Sequence, residues 1–132
     1  MVPLIPIQPE GWAAPKGYSN GLVGQGRTLF VGGQIGWNAQ CIFETDDLVE
    51  QLRQTLRNVL DIVRTAGGAP ENIAMMTWYL TDKHDYLKNL KELGKVYREE
   101  MGRHFPAMAA VEVKALIEDR AKIEIQAIAV LP

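Results

Sequence analysis

Apolar residues recur along this chain with two different periods, and the places where the period changes divide it into elements. Between residues 45 and 66, Leu48, Leu52, Leu56, Val59, Leu60 and Val63 repeat every three or four positions, forming one stripe of an amphipathic helix. Thr45 is the expected N-cap, Asp46 and Asp47 suit the positive end of the helix, and Gly67-Gly68 terminates it. A second helix is expected from about Asp85 to Met101, with Tyr86, Leu90, Leu93 and Tyr97 on one side and Gly102 as its stop. Gly94 within it costs about 1 kcal/mol relative to alanine, which points to close packing against a neighbour.

The remaining apolar runs read as strands. Arg27 to Ile35 is one, and Gly32-Gly33 inside it marks a bulge or a close backbone approach. Ile73 to Leu80 is apolar on both parities, as in a strand covered on both faces. Ala107–Ile117 and Ala121–Leu131 flank the short polar Glu118-Asp119-Arg120 connection and are expected to pair as an antiparallel hairpin. On the last strand Ile123, Ile125, Ala127 and Ala129 alternate with Lys122, Glu124 and Gln126, so its second face meets water, a pocket or another subunit. A first short strand is placed near Leu22–Gly24, after a segment broken by Pro3, Pro6, Pro9 and Pro15. The order β, β, α, β, α, β, β gives an α+β fold: one domain over residues 1–132, a mixed sheet with two helices packed on one face. The other face is left to be buried by oligomerisation.

Composition narrows the function classes. A chain of 132 residues with 47% hydrophobic and 23% charged residues is an ordinary globular balance. A net charge of −2 and a pI near 5.7 provide no general attraction to phosphate backbones, so no nucleic-acid partner is expected. Cys41 is the only cysteine, which rules out an internal disulfide and a cysteine-ligated zinc cluster. His84 and His104 are too few and too scattered for a metal site. The proline-broken start Met1-Val2-Pro3-Leu4-Ile5-Pro6 does not read as a signal peptide, and no run reaches the roughly 20 apolar residues that span a bilayer. The expected location is therefore cytoplasmic, without a membrane partner. Gly24-x-Gly26 and Gly32-Gly33 are not a dinucleotide fingerprint, because no helix opens directly after either.

Several segments together resemble one family. Gly17-Tyr18-Ser19-Asn20-Gly21, Phe30-Val31-Gly32-Gly33-Gln34-Ile35, Gln54-Thr55-Leu56-Arg57-Asn58-Val59 and the tail from Phe105-Pro106-Ala107 through Ile123-Glu124-Ile125-Gln126 are similar to RidA/YjgF proteins in order and spacing. The resemblance implies a chorismate-mutase-like α+β fold and a homotrimer with a cleft at each subunit interface. It further implies hydrolysis of reactive enamines or imines, such as 2-aminoacrylate, with no metal and no organic cofactor.

The same resemblance assigns candidate roles. Tyr18 and Glu124 are the candidate catalytic residues, the phenol contacting the ligand and the carboxylate standing near the attacking water. Tyr18 reads equally as a packing aromatic, and Glu124 as a partner of Lys114 or Lys122 across the hairpin. Gly32, Gly33, Met108, Ala110 and Trp37 are the candidate substrate-binding residues. Gly33 and Ala110 would act through backbone N–H groups, and Trp37 would line the cleft or pack in the core. The chain departs from the family at three of these positions. The arginine that clamps a substrate carboxylate in deaminating members is Met108, the serine of the glycine strand is Gly32, and a frequent cysteine is Ala110. These changes disfavour 2-aminoacrylate itself. They leave two readings: a deaminase for a bulkier or less anionic enamine or imine, or a non-catalytic protein binding a small metabolite in the same cleft. A cation reaching the cleft, such as Arg27 or Arg103, would favour the enzyme. A ribonuclease is disfavoured, since the chain is acidic and has no base-stacking groove.

Overall fold

A computed structural model describes residues 3–132; Met1 and Val2 lie outside the described residues. A small antiparallel pair, β1 (Ile5–Ile7) with β2 (Gly21–Val23), precedes the main sheet. The main sheet contains β3 (Arg27–Ile35), β4 (Ile73–Leu80), β5 (Ala107–Glu112) and β6 (Ile123–Leu131) in the order β3-β6-β4-β5. The strand expected near Leu22–Gly24 exists, but it pairs with β1 and not with the main sheet.

The expected hairpin of the last two strands is not formed. β5 stops at Glu112 and pairs parallel with β4, whereas β6 runs antiparallel between β3 and β4. The crossover through the second helical region returns the chain parallel to β4, so β5 takes the outer edge. Residues 113–122 then carry the chain across to the other side of β4. The apolar alternation of β6 thus reflects a central strand and not half of a terminal ribbon.

Helix α1 (Leu48–Thr65) buries Leu48, Leu52, Leu56, Val59, Leu60 and Val63, the whole predicted stripe. Its N-cap is Asp47, whose carboxylate accepts from Glu50 N, and not Thr45. Thr45 Oγ1 instead accepts from Asp47 N at 3.0 Å and shapes the approach to the cap. Two buried polar side chains interrupt the stripe. Gln51 Nε2 donates to Thr45 O and Arg120 O, while its Oε1 accepts from Lys122 N. One side chain thereby ties the loop before α1 to the loop before β6, and none of its polar atoms is left without a partner.

The second helical region starts earlier than expected and is split. Asp82 caps α2 (Lys83–Lys88) by accepting from His84 N and Asp85 N. Asn89 breaks the run, since its N–H bonds Tyr86 O and its Nδ2 bonds the Asp85 carbonyl and carboxylate. Helix α3 (Leu90–Met101) follows and buries Leu93, Val96, Tyr97 and Met101. Arg53 pairs with Glu99 at 2.7 Å and Arg57 with Glu100 at 2.8 Å, bridging α1 to α3. These two helices cover one face of the main sheet, as expected, with the short α2 as an addition that has no fully buried residue but packs Tyr86 against the core.

The other face is bare. Phe30 is 75% exposed and Met75 is also exposed, in strands whose neighbouring residues Val31 and Met76 are buried, and Val111 of the edge strand β5 is exposed as well. A shallow depression of about 490 Å³ lies on this face among Phe30, Gly32, Met75, Thr77, Gln126 and Ile128.

Candidate functional site

The candidate residues fall into two groups, one on each side of the sheet. The first group is built around Tyr18. Ser19 N donates to Pro106 O at 3.1 Å, Ser19 Oγ donates to Phe105 O at 2.6 Å, and Ser19 bridges to Ala107 in parallel. This tether brings the Gly17-Tyr18 segment to the start of β5. On β5, Met108 stands opposite Met76 and therefore on the helix-covered side. Tyr18 and Met108 line one cavity of about 440 Å³ together with Trp78, Tyr86, Tyr97 and Phe105.

The walls of this cavity are aromatic and ordered by one another. Tyr97 stacks on Phe105 with centroids 5.6 Å apart and packs against Trp78 at 6.1 Å. The Tyr97 hydroxyl donates to His104 O, and burial pushes its pKa well above the usual phenol range. Burial likewise raises the Tyr86 pKa, so both phenols stay neutral at ordinary pH. His104 is occupied structurally, its Nε2 lying 2.6 Å from Ile73 O. The buried Trp78 Nε1 has no hydrogen-bond partner among the described residues.

One cation reaches this cavity that sequence reasoning did not single out. Arg98 lines it, and its Nη1 lies 3.3 Å from the position a side chain at Gly94 would occupy. The signal was the glycine one helical turn before Arg98. Gly94 was expected to admit a neighbouring element, but it makes room for the guanidinium of its own helix. Lys16 is a second cation on the lining. Arg27 is held elsewhere, donating from Nε to Pro132 O, and Arg103 does not line the cavity.

The second group lies on the bare face. Between Val31 and Gln34 the β3–β6 register shifts, placing Gly32 and Gly33 in a bulge. An ideal Cβ at Gly33 would come within 2.0 Å of Glu124 Oε2, so the carboxylate rests against the Gly33 backbone in space only glycine leaves open. Gly32 has open space around its Cα and borders the bare-face depression. Glu124 stands opposite Ile35 and Tyr79 and is half-buried. The expected pairing of Glu124 with Lys114 or Lys122 across a hairpin is absent: that hairpin does not form, and no ion pair among the described residues involves Glu124.

Two candidates stand apart from both groups. Trp37 tilts against Phe43 with centroids 5.7 Å apart, and its carbonyl accepts from Asn58 Nδ2. It packs in the loop before α1 and does not line the Tyr18 cavity. Ala110 is exposed on β5 opposite Trp78. Among the described residues there is no cluster of three or more metal-ligating side chains, and no helix is long and apolar enough to cross a membrane.

A mixed sheet covered on one face by two long helices, with a glycine bulge held against a carboxylate, defines the class of fold. Comparison with known proteins agrees. Residues 10–131 match the family described as Endoribonuclease L-PSP. The chain is 35% identical to a RutC family protein of Pyrococcus horikoshii over 91% of its own length and 92% of that protein. It is 30% identical to the human 2-iminobutanoate/2-iminopropanoate deaminase, covering 79% of this chain and 73% of that one. A crystal structure of a Rid-family protein of unknown function, YyfB from Yersinia pestis, superposes with a TM-score of 0.86 at 29% identity over 97% and 98% of the two chains. The chain belongs to the RidA/YjgF family.

Proposed function

We propose that this protein is a hydrolytic deaminase of a reactive enamine or imine other than 2-aminoacrylate. It acts as a homotrimer whose sites lie in clefts between subunits. The observation that carries the reading is Glu124, a carboxylate set against the Gly33 backbone with no cation paired to it. A lysine partner would have made it structural. Without one it is available as a proton acceptor.

The two groups lie on opposite sides of the sheet, so one chain does not assemble them. Joining the Tyr18–Met108 cavity of one protomer to the Glu124–Gly33 face of the next completes a site and covers the bare apolar face in the same step. In that cleft Glu124 takes a proton from water as the water oxygen bonds to the imine carbon. Glu124 passes that proton to the nitrogen, giving a neutral carbinolamine. It then takes the proton of the new hydroxyl as the C–N bond breaks and delivers it to the departing nitrogen, so that a ketone and ammonia leave and Glu124 ends ionised as it began. Tyr18 and the backbone N–H of Gly33 hold the substrate. Methionine at position 108 supplies no charge there, so a small 2-imino acid is poorly held by that position.

The test is hydrolysis of imines made in situ from single amino acids by an amino-acid oxidase, followed by competition with semicarbazide. The expected result is faster ammonia release from imines with large side chains than from 2-aminoacrylate. The aromatic walls around Met108 also suit a second reading, a metabolite-binding protein without turnover. Binding of the corresponding oxo acids with no acceleration for any imine would establish that second reading instead.

A further inference from the structure

We infer that Arg98 is the anion-binding residue of the Tyr18–Met108 cavity, and that the cavity takes a planar aromatic carboxylate. Combined with the deaminase reading, on which only this step rests, the substrate class becomes an aromatic 2-imino acid and the product its 2-oxo acid.

Arg98 is placed for this by its own helix. Its side chain lies back over Gly94, with Nη1 at the 3.3 Å contact, and reaches the cavity lining. The carboxylates next to it on α3 face the other way: Glu99 and Glu100 are engaged by Arg53 and Arg57 of α1. No carboxylate among the described residues pairs with Arg98. An unpaired guanidinium at the rim of a cavity is a carboxylate receptor, because its two parallel N–H donors match the two carboxylate oxygens.

The cavity behind it selects the rest of the ligand. Its walls are the Tyr97–Phe105 stack, Trp78 and Tyr86, which favour a flat apolar body through offset and edge contacts. A volume of about 440 Å³ is in the range of sites for drug-sized molecules, and a three-carbon acid would leave most of it unfilled. Lys16 adds positive charge near the mouth, so the ligand's charge belongs at the rim and its ring inside.

The experiment is titration calorimetry on the full chain with three probes: phenylpyruvate, pyruvate and the neutral phenylacetone. Phenylpyruvate is expected to bind at least about tenfold more tightly than either of the others, one probe lacking the ring and the other the charge. Arg98→Gln should remove that advantage over phenylacetone while leaving phenylacetone binding unchanged, and Arg98→Lys should restore part of it. Gly94→Ala favours the helix yet crowds Nη1, so it should weaken phenylpyruvate binding in a protein that folds normally. Equal phenylpyruvate affinity in wild type and Arg98→Gln, or equal affinity for phenylpyruvate and pyruvate, overturns the assignment. Arg98-dependent binding without imine hydrolysis would leave this site standing and remove the deaminase reading. Hydrolysis of aromatic imines that ignores Arg98 would do the reverse.

Discussion

The two faces of the main sheet are made by alternate residues of the same strands, yet they obey different rules. On the helix-covered face, Val31, Met76, Ile123, Ile125 and Ala127 are buried beneath α1 and α3. On the bare face the neighbours Phe30, Met75, Thr77, Glu124 and Gln126 meet solvent or only one another. Tyr79 donates to Gln126 Oε1 at 2.8 Å, one of the few polar contacts made there. The covered face therefore supplies the core, while the bare face carries Glu124 half-buried against the Gly33 backbone and outside any ion pair among the described residues. The difference shows why chemistry and core can share a strand: successive side chains point to opposite sides, so each set changes independently.

The sharpest way to break this comparison is at Glu124. Glu124→Gln keeps size and shape and removes only the ionisable group, so the melting temperature should stay nearly unchanged. Turnover of an accepted imine should fall by about 10²–10⁴-fold, the usual contribution of a positioned acid–base group. Thermal melting and initial rates on the same preparation check both halves. A collapsed melting temperature with undiminished activity per folded molecule would return Glu124 to a structural role and move the chemistry off the bare face.

The next effect compares one residue from each face in urea denaturation. Leu56→Ala, on a fully buried side chain beneath the sheet, should cost about 2–5 kcal/mol through lost burial and a residual cavity. Phe30→Ala should cost less than about 0.5 kcal/mol in the dissociated chain, because the ring is mostly in water there. At concentrations where subunits associate, the same Phe30 change should lower the assembly measured by sedimentation. A large Phe30 cost that does not vary with protein concentration would mean that the bare face stabilises the single chain.

The sequence revealed the covered face far better than the site. Every apolar member of the α1 stripe is buried, because a period of 3.6 leaves little choice of which side packs. The alternation on β6 likewise identified both of its faces. Strand partners were not legible: a three-residue polar connection between two apolar runs looks like a hairpin whichever strand each run pairs with. The split at Asn89 was also hidden, since it depends on a side chain bonding its own helix and not on a proline or glycine. Of the site, Gly33 and Glu124 are each assigned a role through a resemblance, and their contact is not visible in spacing alone, because they are distant in sequence. Arg98 was missed because its guanidinium reads as one more surface charge until Gly94 is seen to make room for it.

Trp78 provides the smallest expected effect and the most delicate one, since it belongs to the covered face and to the cavity at once. The residue is 4% exposed, yet the indole N–H has no acceptor among the described residues. Trp78→Phe removes that orphaned donor, whose desolvation costs about 1–3 kcal/mol, and also removes ring volume that packs on Tyr97 at 6.1 Å. The two terms oppose one another and are of similar size, so net stability should change by less than about 1 kcal/mol. Because the lost volume adjoins the aromatic cavity, ligand affinity should respond more than the melting temperature does. Urea midpoints and calorimetric titrations on one variant measure both. A stability loss above about 3 kcal/mol would show that Trp78 serves the core first, in the manner of Leu56, and that the cavity wall is a by-product of packing.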